Sequence, residues 1–275
     1  MPEGPEIRLA ADRIAGVLVG QPIVETRLGL DRLKKFESRL QGRQVTAVDT
    51  RGKAMLTRFD NGLTLYSHNQ LYGRWFTTRR PKMPNTRRQL RVALHTPTHS
   101  ALLYSASDIE VLTSRQLAQH PYLQRLGPDI LDPELTPKDL VARLDSAKFR
   151  NRALGSLFLD QHFLAGLGNY LRSEILWAAR ADPTARPAAL DSAMLRAIAR
   201  QTLQISRRSY RTRGVTAPPG AVRERKQQGL SYGQYRFQVF GRPGRACYLC
   251  GTRIERRVMA SRNIFVCRNC QHRQD

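Results

Sequence analysis

Four cysteines near the end of the chain have a spacing that favours metal binding. They read Cys247-x2-Cys250, then sixteen residues, then Cys267-x2-Cys270. Each pair can supply two thiolates from one tight turn, and two such turns complete the tetrahedral coordination that zinc prefers. Because all four positions would be filled by protein and none by water, the spacing predicts one structural Zn²⁺ rather than a catalytic one. Four unrelated buried cysteines would not explain the paired spacing.

The other residues with chemical potential stand at the very start, in MPEGPEIRLAADRI. If Met1 is removed, Pro2 becomes a free secondary amine and is followed directly by the carboxylate of Glu3. An α-amino group titrates near pH 7.7–8.0, so much of it is an unprotonated nucleophile at neutral pH, whereas a lysine near 10.4 is mostly protonated. A purely structural reading stays open at this point, because proline and acidic residues also favour the first turn of a helix.

The charge of the chain indicates a polyanionic partner. The 275 residues include 46 Lys and Arg against 22 Asp and Glu, a formal net charge of +24. Sixteen basic and three acidic residues fall between Ser206 and Asp275. Nucleic acid is the commonest partner of a protein this basic. No stretch approaches the ~20 apolar residues that span a bilayer, and the N-terminus lacks the basic and apolar regions of a secretory signal. The sequence therefore predicts a soluble cytoplasmic protein with no membrane partner.

The first part of the chain reads as a helix followed by many strands. Residues 3–19 carry apolar side chains at helical spacing and are followed by Gly20, which predicts an amphipathic helix. Short β-rich runs fill residues 21–112, and Asp60-Asn61-Gly62 between two of them predicts a hairpin turn. Many short strands separated by turns are typical of a sandwich or a barrel.

The second part reads as helical. Thr136 and Pro137 form a helix start before an apolar run, and residues 149–161 form another helical candidate. Residues 211–233 are rich in Arg, Gly, Pro and Gln and are interpreted as a mobile basic loop. Three domains are predicted, at residues 1–124, 125–233 and 234–275.

A glycine-rich turn precedes one of these helices. Gly166-Leu-Gly168-Asn169 would let a backbone approach a ligand closely, and free N–H groups at a helix start attract anions. In a protein of this charge, DNA phosphate is the favoured anion, although an ordinary turn with an Asn cap fits the motif equally well. Arg262 and its neighbours lie between the cysteine pairs, on a predicted β-hairpin that could probe phosphates.

Taken together, the motifs resemble one family over essentially the whole chain. They are MPEGPEI, TRGKAMLT (50–57), SHNQLYG (67–73), LDQHFLAGLGNYLRSEILW (159–177) and the four-cysteine end. This combination is similar to the formamidopyrimidine-DNA glycosylase/endonuclease VIII family, and SHNQLYG and YSASDIE (104–110) look like its bacterial endonuclease VIII branch.

The resemblance implies an α+β fold of two domains. An N-terminal β-sandwich is flanked by helices, and a C-terminal helical domain carries a helix–two-turns–helix element and a zinc β-hairpin. It also implies a bifunctional base-excision-repair enzyme that removes oxidised pyrimidines and cuts the strand by β,δ-elimination. Its partner would be double-stranded DNA with oxidised bases or abasic sites. We expect a monomer, because the sequence shows no interface signature.

The resemblance also assigns roles to individual residues. Pro2 would be the nucleophile that forms a Schiff base, with Glu3 as its general acid/base. Lys53 would contact phosphate and assist β-elimination. Arg262 would act in δ-elimination; because a guanidinium stays protonated, it is better suited to electrostatic stabilisation than to acid catalysis.

The remaining assignments concern DNA contacts. A flipped-out base leaves a gap in the stack, and Gln70, Leu71 and Tyr72 would form the wedge that fills it. Arg125 and Asn169 would contact the DNA backbone. Glu6 and Glu174 match family acids near the site, but surface carboxylates are common.

Two alternatives remain open from the sequence. One keeps the chemistry but assigns specificity to oxidised purines, such as formamidopyrimidines and 8-oxoguanine. The other is a zinc-hairpin DNA-binding protein without catalysis, which charge and cysteines alone do not exclude. Pro2-Glu3 and Lys53 are the features against it. The basic segment 211–233 is also longer than endonuclease VIII would lead us to expect.

Overall fold

The computed structural model describes residues 2–271. The chain forms two compact units, one ending at Arg125 and the other beginning at Leu126. Arg125 thus belongs to the first unit, and the proposed separate domain at 234–275 stays a prediction.

The first unit contains one long helix, eight strands and four short helices. In chain order these are α1 (Gly4–Leu18), β1 (Glu25–Leu28), α2 (Asp31–Lys34), α3 (Glu37–Leu40), β2 (Val45–Arg51), β3 (Ala54–Phe59), β4 (Leu63–His68), β5 (Arg74–Arg79), β6 (Leu90–His95), β7 (His99–Tyr104), β8 (Asp108–Thr113), α4 (Ser114–Ala118) and α5 (Pro121–Gln124).

The strands form two antiparallel four-stranded sheets, in the orders β1-β6-β7-β5 and β2-β3-β4-β8. Side chains of both sheets share one buried apolar cluster, for example Val92 and Leu103 of one sheet with Leu65 and Ile109 of the other. The predicted sandwich is therefore confirmed. The predicted Asp60-Asn61-Gly62 turn joins β3 to β4, with Gly62 at φ 76°.

Helix α1 is anchored in this same core. Its apolar positions Ile7, Ala11, Ile14 and Leu18 are all at most 2% exposed and belong to the sandwich cluster. Burial of such side chains stabilises by about 1.5–3 kcal/mol for each large residue. The helix axis is thereby fixed, and with it the position of the chain start.

The second unit is mainly helical and ends in a hairpin. Its elements are α6 (Pro137–Asp145), α7 (Leu154–Leu157), α8 (Asn169–Ala178), a 3₁₀ turn (Pro187–Ala189), α9 (Ser192–Arg211), α10 (Pro219–Gln227), α11 (Tyr232–Tyr235), β9 (Glu255–Met259) and β10 (Arg262–Val266). Strands β9 and β10 pair antiparallel, and Ile264 and Val266 of β10 join the apolar core of the helices.

The helix predicted at 149–161 is wrong, since only Leu154–Leu157 is helical there. The N–H groups of Leu154 and Gly155 donate to the carbonyls of Ala185 and Pro183, at 2.9 and 2.8 Å. Backbone donors that pair with a distant segment cannot form the i→i−4 ladder. The sequence pattern showed the buried apolar residues but not these partners.

The mobile loop predicted at 211–233 is also wrong. Residues Pro219–Gln227 form α10 and Tyr232–Tyr235 form α11. Pro219 stands in the first turn of α10, where its fixed φ and missing N–H are tolerated. The side chains of Gln238 and Tyr248 contact Arg225 of α10 and hold the helix in place. A local sequence pattern does not reveal contacts between residues this far apart.

Glu174 of α8 is a buried structural carboxylate. It is 1% exposed, and its Oε1 accepts the N–H groups of Val239 and Phe240 at 2.8 and 2.9 Å. Its Oε2 accepts the hydroxyl of Thr216 at 2.7 Å and the N–H of Gln238 at 2.9 Å. One side chain thus satisfies four donors from two segments and ties both to α8.

We expect Glu174→Gln to lower the free energy of unfolding by about 2–4 kcal/mol, because the amide NH₂ would face buried donors that lose their acceptor. Urea unfolding of wild type and variant measures this. The control is Glu134→Gln on an exposed carboxylate, which should stay within about 0.5 kcal/mol of wild type. Equal midpoints for all three proteins would contradict the structural role.

Candidate active site and metal centre

The tip of α1 carries Pro2 and Glu3. Glu3 is the N-cap of the helix, and its backbone N–H donates to Oε2 of Glu6 at 3.0 Å, as in a capping box. The Glu3 residue is only 3% exposed. Pro2 directly precedes this capped turn, and Met1 lies outside the described residues. The arrangement therefore fixes the residue that would carry the free amine.

Pro2 and Glu6 line a cavity of about 410 Å³ in the first unit. Leu71 and Tyr72 of the SHNQLYG segment line the same cavity, together with Arg88. The candidate nucleophile and two residues of the candidate wedge, which are about 70 positions apart in the sequence, thus share one space. The sequence did not single out Arg88, whose guanidinium donates to the Tyr72 carbonyl.

The turn between β4 and β5 presents the candidate wedge. Gln70 has φ 49°, in the left-handed region, and its side-chain oxygen accepts the Ser107 hydroxyl at 2.9 Å. The Gly73 N–H donates to the Asn69 carbonyl at 2.7 Å. A Cβ on Gly73 would stand 2.6 Å from that carbonyl oxygen, so only glycine allows this close approach.

Two large side chains of this turn face outwards. Leu71 is 51% exposed and Tyr72 is 67% exposed. Adjacent apolar and aromatic side chains that are not covered by their own protein often mark a binding site. Their exposure suits a wedge that becomes buried only against a ligand.

His68 lies at the base of this turn. Its Nδ1 accepts the Gln70 N–H at 3.1 Å, and its ring meets Tyr122 edge-on at a centroid distance of 5.4 Å. Asp108 is its cross-strand partner. Burial lowers the pKa of His68 and raises that of Asp108; the Asp108 charge opposes the shift of His68, and the Lys53 charge adds to it.

Lys53 stands in the β2–β3 turn after Gly52, which has φ 60°. Ala54, the next residue, pairs with His68 across β3 and β4, which brings Lys53 to the base of the candidate wedge turn. The motifs did not single out His68, although it immediately precedes Asn69 and the wedge triplet. Arg125 lies at the end of α5, where its Nε donates to the Pro121 carbonyl at 2.9 Å.

In the second unit, Arg172 joins the two candidate phosphate-binding elements. It is 0% exposed, and its NH2 donates to Oδ1 of Asn169 at 2.6 Å and to the Asn263 carbonyl at 3.1 Å. Its NH1 donates to the carbonyls of Gly155 and Met259 at 2.8 and 3.2 Å. Asn169, at the start of α8, and the hairpin turn that precedes Arg262 are thus held by one guanidinium. The signal in the sequence was an arginine in a helix whose other residues are mostly buried.

The four cysteines meet in the hairpin module. Their four Sγ atoms lie within 4.8 Å of one another. The Sγ atoms of Cys250 and Cys267 are 3.4 Å apart, and those of Cys247 and Cys270 are 3.9 Å apart. A tetrahedron with Zn–S bonds of about 2.3 Å has edges of about 3.8 Å. The sulfur separations therefore fit four ligands arranged tetrahedrally around one metal ion.

The surroundings of these sulfurs also fit ligation. Hydrogen bonds involving Thr252 and Asn269 lower the pKa of Cys250 to about 5, which favours the thiolate that a metal requires. Burial raises the pKa of Cys267 and Cys270, so a bound cation would have to offset that effect to hold them as thiolates. The Gln271 side chain accepts the Cys267 N–H at 3.0 Å and donates to the Ala181 carbonyl at 3.1 Å. The cluster is thereby attached to the helical core.

Comparison with known proteins defines the class. Residues 1–108 match the formamidopyrimidine-DNA glycosylase N-terminal domain, and residues 126–217 match the formamidopyrimidine-DNA glycosylase H2TH domain. The chain belongs to the formamidopyrimidine-DNA glycosylase/endonuclease VIII family, whose members are bifunctional DNA glycosylases and abasic-site lyases of base excision repair.

Within this family the chain is similar to endonuclease 8. It is 50% identical over 272 residues to Endonuclease 8 of Escherichia coli O17:K52:H18, covering 99% of this chain and 100% of the relative. It is also 50% identical over 271 residues to Endonuclease 8 of Salmonella arizonae, covering 98% and 100%.

Solved structures confirm the fold. MutM in complex with carbocyclic 8-oxo-G containing DNA is 19% identical with a TM-score of 0.81, covering 99% of this chain and 100% of that one. Lactococcus lactis Fpg with an abasic site containing DNA is 19% identical with a TM-score of 0.80, covering 98% and 100%. Among the described residues, no helix is both long and apolar enough to cross a membrane.

The lowered pKa of His68 predicts a pH effect on stability. Because the folded pKa lies below the unfolded value near 6.5, the unfolded chain binds this proton more readily, so stability is lost as the pH falls below about 6.5. Protonation would also remove the acceptor of the Gln70 N–H. The variant His68→Asn keeps an acceptor but does not titrate. We expect its Tm to fall less than that of wild type when the pH is lowered from 7.5 to 5.5.

The control for this comparison is His162→Asn. The His162 side chain is 46% exposed in the second unit, and its variant should lose as much Tm as wild type. Differential scanning fluorimetry at matched ionic strength measures all three proteins. Identical losses for His68→Asn and wild type would overturn the assignment.

Proposed function

We propose that this chain removes oxidised pyrimidines from double-stranded DNA through a Schiff base on Pro2 and cuts the strand by β,δ-elimination. The observation that carries the proposal is the cavity shared by Pro2, Glu6, Leu71 and Tyr72 at the capped tip of α1. The full-length identity of 50% to Endonuclease 8 supports the pyrimidine class. The bacterial relatives support a cytoplasmic site of action on DNA.

The first step is displacement of the damaged base. The Pro2 nitrogen forms a bond to C1′ of the sugar, and the glycosidic bond breaks with its electron pair leaving on the base. The nitrogen loses its proton, and the departing base takes up one proton, so that charge and protons balance. Glu3 supplies a proton to the sugar, which opens the ring and leaves an iminium between Pro2 and C1′. Because a secondary amine forms a permanently charged iminium, this adduct is a strong electron sink.

Strand cleavage follows from that sink. Loss of the C2′ proton sends electrons towards the iminium and expels the 3′ phosphate, which is β-elimination. A second elimination then removes the C4′ proton and breaks the C5′–O bond, so that the 5′ phosphate leaves with the electron pair of that bond. Water finally adds to the iminium carbon and releases the enzyme from the sugar remnant. Lys53 and Arg262 are assigned to the phosphates that leave, where fixed positive charge stabilises the developing negative charge.

The wedge and the backbone contacts position the nucleotide. The exposed Leu71 and Tyr72 would fill the gap left by the flipped nucleotide, and Gln70 would hydrogen-bond the unpaired partner base. Asn169 and Arg125 would contact phosphates. The link between Asn169 and the Arg262 turn through Arg172 supports their acting on the same stretch of backbone.

Borohydride should trap the proposed iminium. With abasic-site DNA, we expect the processed protein to form a covalent complex whose adduct maps to the peptide that begins at Pro2. Pro2→Gly should trap markedly less, and a form that retains Met1 should not trap there. An adduct on Lys53, or equal trapping by Pro2→Gly, would overturn the mechanism; absence of any adduct would favour a DNA-binding protein without catalysis.

Two comparisons refine this experiment. Glu3→Gln should lose base excision more than cleavage of preformed abasic sites, whereas Glu134→Gln should retain both. Single-turnover excision should be faster on thymine glycol than on 8-oxoguanine duplexes. Faster excision of 8-oxoguanine would move the substrate class to oxidised purines.

We also propose that the metal is one structural zinc held by Cys247, Cys250, Cys267 and Cys270. The sulfur separations support a closed site, since four thiolates fill the tetrahedral coordination that structural zinc prefers. Zinc would supply order to the hairpin that bears Arg262, and no chemical step would pass through it. We expect about one zinc per chain by mass spectrometry of the native protein, and Cys267→Ser should lose the zinc and have a lower Tm. A native protein without zinc, or retention of zinc by the variant, would refute this.

A further inference from the structure

Helix α10 is held in an unusual way. Of its nine residues only Arg225 is buried, at 5% exposure. A helix this short, without an apolar face, is marginal on its own in water. Among these nine residues, the one buried attachment to the rest of the unit is therefore made by that side chain.

Arg225 attaches α10 to the segment between Tyr235 and Tyr248. Its NH2 donates to Oε1 of Gln238 at 2.7 Å, and its NH1 donates to the carbonyls of Tyr235 and Phe237 at 3.2 and 3.4 Å. The guanidinium also stacks on Tyr248, with Cζ 3.4 Å from the ring centroid. Tyr248 immediately follows the metal-binding candidate Cys247.

A second arginine stacks on the same ring. Cζ of Arg242 lies 3.5 Å from the Tyr248 centroid, and since two guanidinium groups cannot occupy one place, they must cover opposite faces. Arg242 in turn donates to the carbonyls of Gln238 and Ala246. The Tyr248 hydroxyl donates to the Gln234 carbonyl in α11 at 3.3 Å. Tyr248 is thus the point at which both helices meet the Cys-x2-Cys turn.

The segment so anchored presents positive charge. In 219–235, which we call the arm, Arg223 and Lys226 are exposed on α10. Lys226 Nζ lies 5.0 Å above the Tyr235 ring. At the other end of the arm, the Tyr232 hydroxyl donates to the Arg213 carbonyl at 2.8 Å. Cations fixed beside aromatic rings on an ordered element suit the phosphates and bases of nucleic acid better than they suit an uncharged partner.

We propose that the arm is a further DNA-backbone contact, and that the metal module keeps it in its binding position through Tyr248. This rests on the proposed function, because the partner is the DNA substrate. The thiolates order the Cys247–Cys250 turn, the turn orients Tyr248, and the ring holds Arg225 and hence α10. The arm contributes affinity, whereas Pro2 carries the chemistry.

Hydrogen exchange tests the anchor. In Tyr248→Ala we expect amides of 219–229 to exchange faster by on the order of tenfold, because the variant removes the ring on which Arg225 and Arg242 both stack. Tyr248→Phe should stay close to wild type, since it keeps the stacking ring. The matched control is Leu249→Ala in the same turn, because Leu249 is 55% exposed. All variants should keep their zinc, and unchanged exchange in a zinc-loaded Tyr248→Ala protein would overturn the anchor.

The salt dependence of DNA binding tests the partner. The binding constant for a duplex containing a tetrahydrofuran abasic analogue is measured at several salt concentrations. For the double variant Arg223→Gln and Lys226→Gln, the plot of log binding constant against log salt concentration should be less steep than for wild type, by about 1–2 in slope. Tyr248→Ala should shift it in the same direction. An unchanged slope in the double variant would exclude the arm as a backbone contact.

Borohydride trapping separates this proposal from the proposed function. At saturating abasic DNA, both arm variants should still give the covalent Pro2 adduct, because the nucleophile is intact. If wild type traps but the slope does not change, the arm proposal fails alone. If wild type does not trap, the proposed function fails, and the exchange experiment still decides the anchor.

Discussion

The position of Pro2 depends on the burial of helix α1, which packs Ile7, Ala11, Ile14 and Leu18 into the sandwich core. A nucleophile within a strand is fixed by backbone on both sides, whereas the N-terminal amine proposed for Pro2 would be fixed on one side only. The Glu3–Glu6 cap then orders the first turn. Because a helix is stiff over 15 residues, the core of the sandwich determines where Pro2 stands.

The second unit solves a different problem, since its candidate DNA-contact residues Asn169 and Arg262 begin a helix and a strand next to turns. Buried polar side chains attach these turns to the apolar core of the unit. Arg172 holds the Asn169 turn and the hairpin, and Glu174, two positions later, holds 238–240. Each satisfies several backbone groups at once, which offsets the cost of burying its charge. Two residues within a single turn of α8 thus serve as polar anchors for two neighbouring segments.

Local pattern predicted the parts of the fold in which local and tertiary preferences agree. Apolar spacing predicted α1, Asn61-Gly62 predicted the β3–β4 turn, and the cysteine spacing predicted the sulfur cluster, which the structure brings together. Family resemblance rather than periodicity supplied Lys53 and the wedge. The assignment of catalytic and DNA-contact roles to individual residues stays a prediction.

The errors share one physical cause, which is a long-range polar contact that changes a local preference. Leu154 and Gly155 give their N–H groups to residues 183–185, so a helix-like stretch is interrupted. Arg225 finds Gln238 and Tyr248, so a stretch with the composition of a loop becomes α10. In both cases the deciding partner lies more than ten residues away in the sequence. Arginine is well suited to this role, because five donors and a flat face let one side chain bind carbonyls and an aromatic ring together. The arginine excess therefore has two uses in this chain. Exposed residues such as Arg223 are proposed to supply charge for DNA, while buried ones such as Arg172 and Arg225 hold backbone segments together.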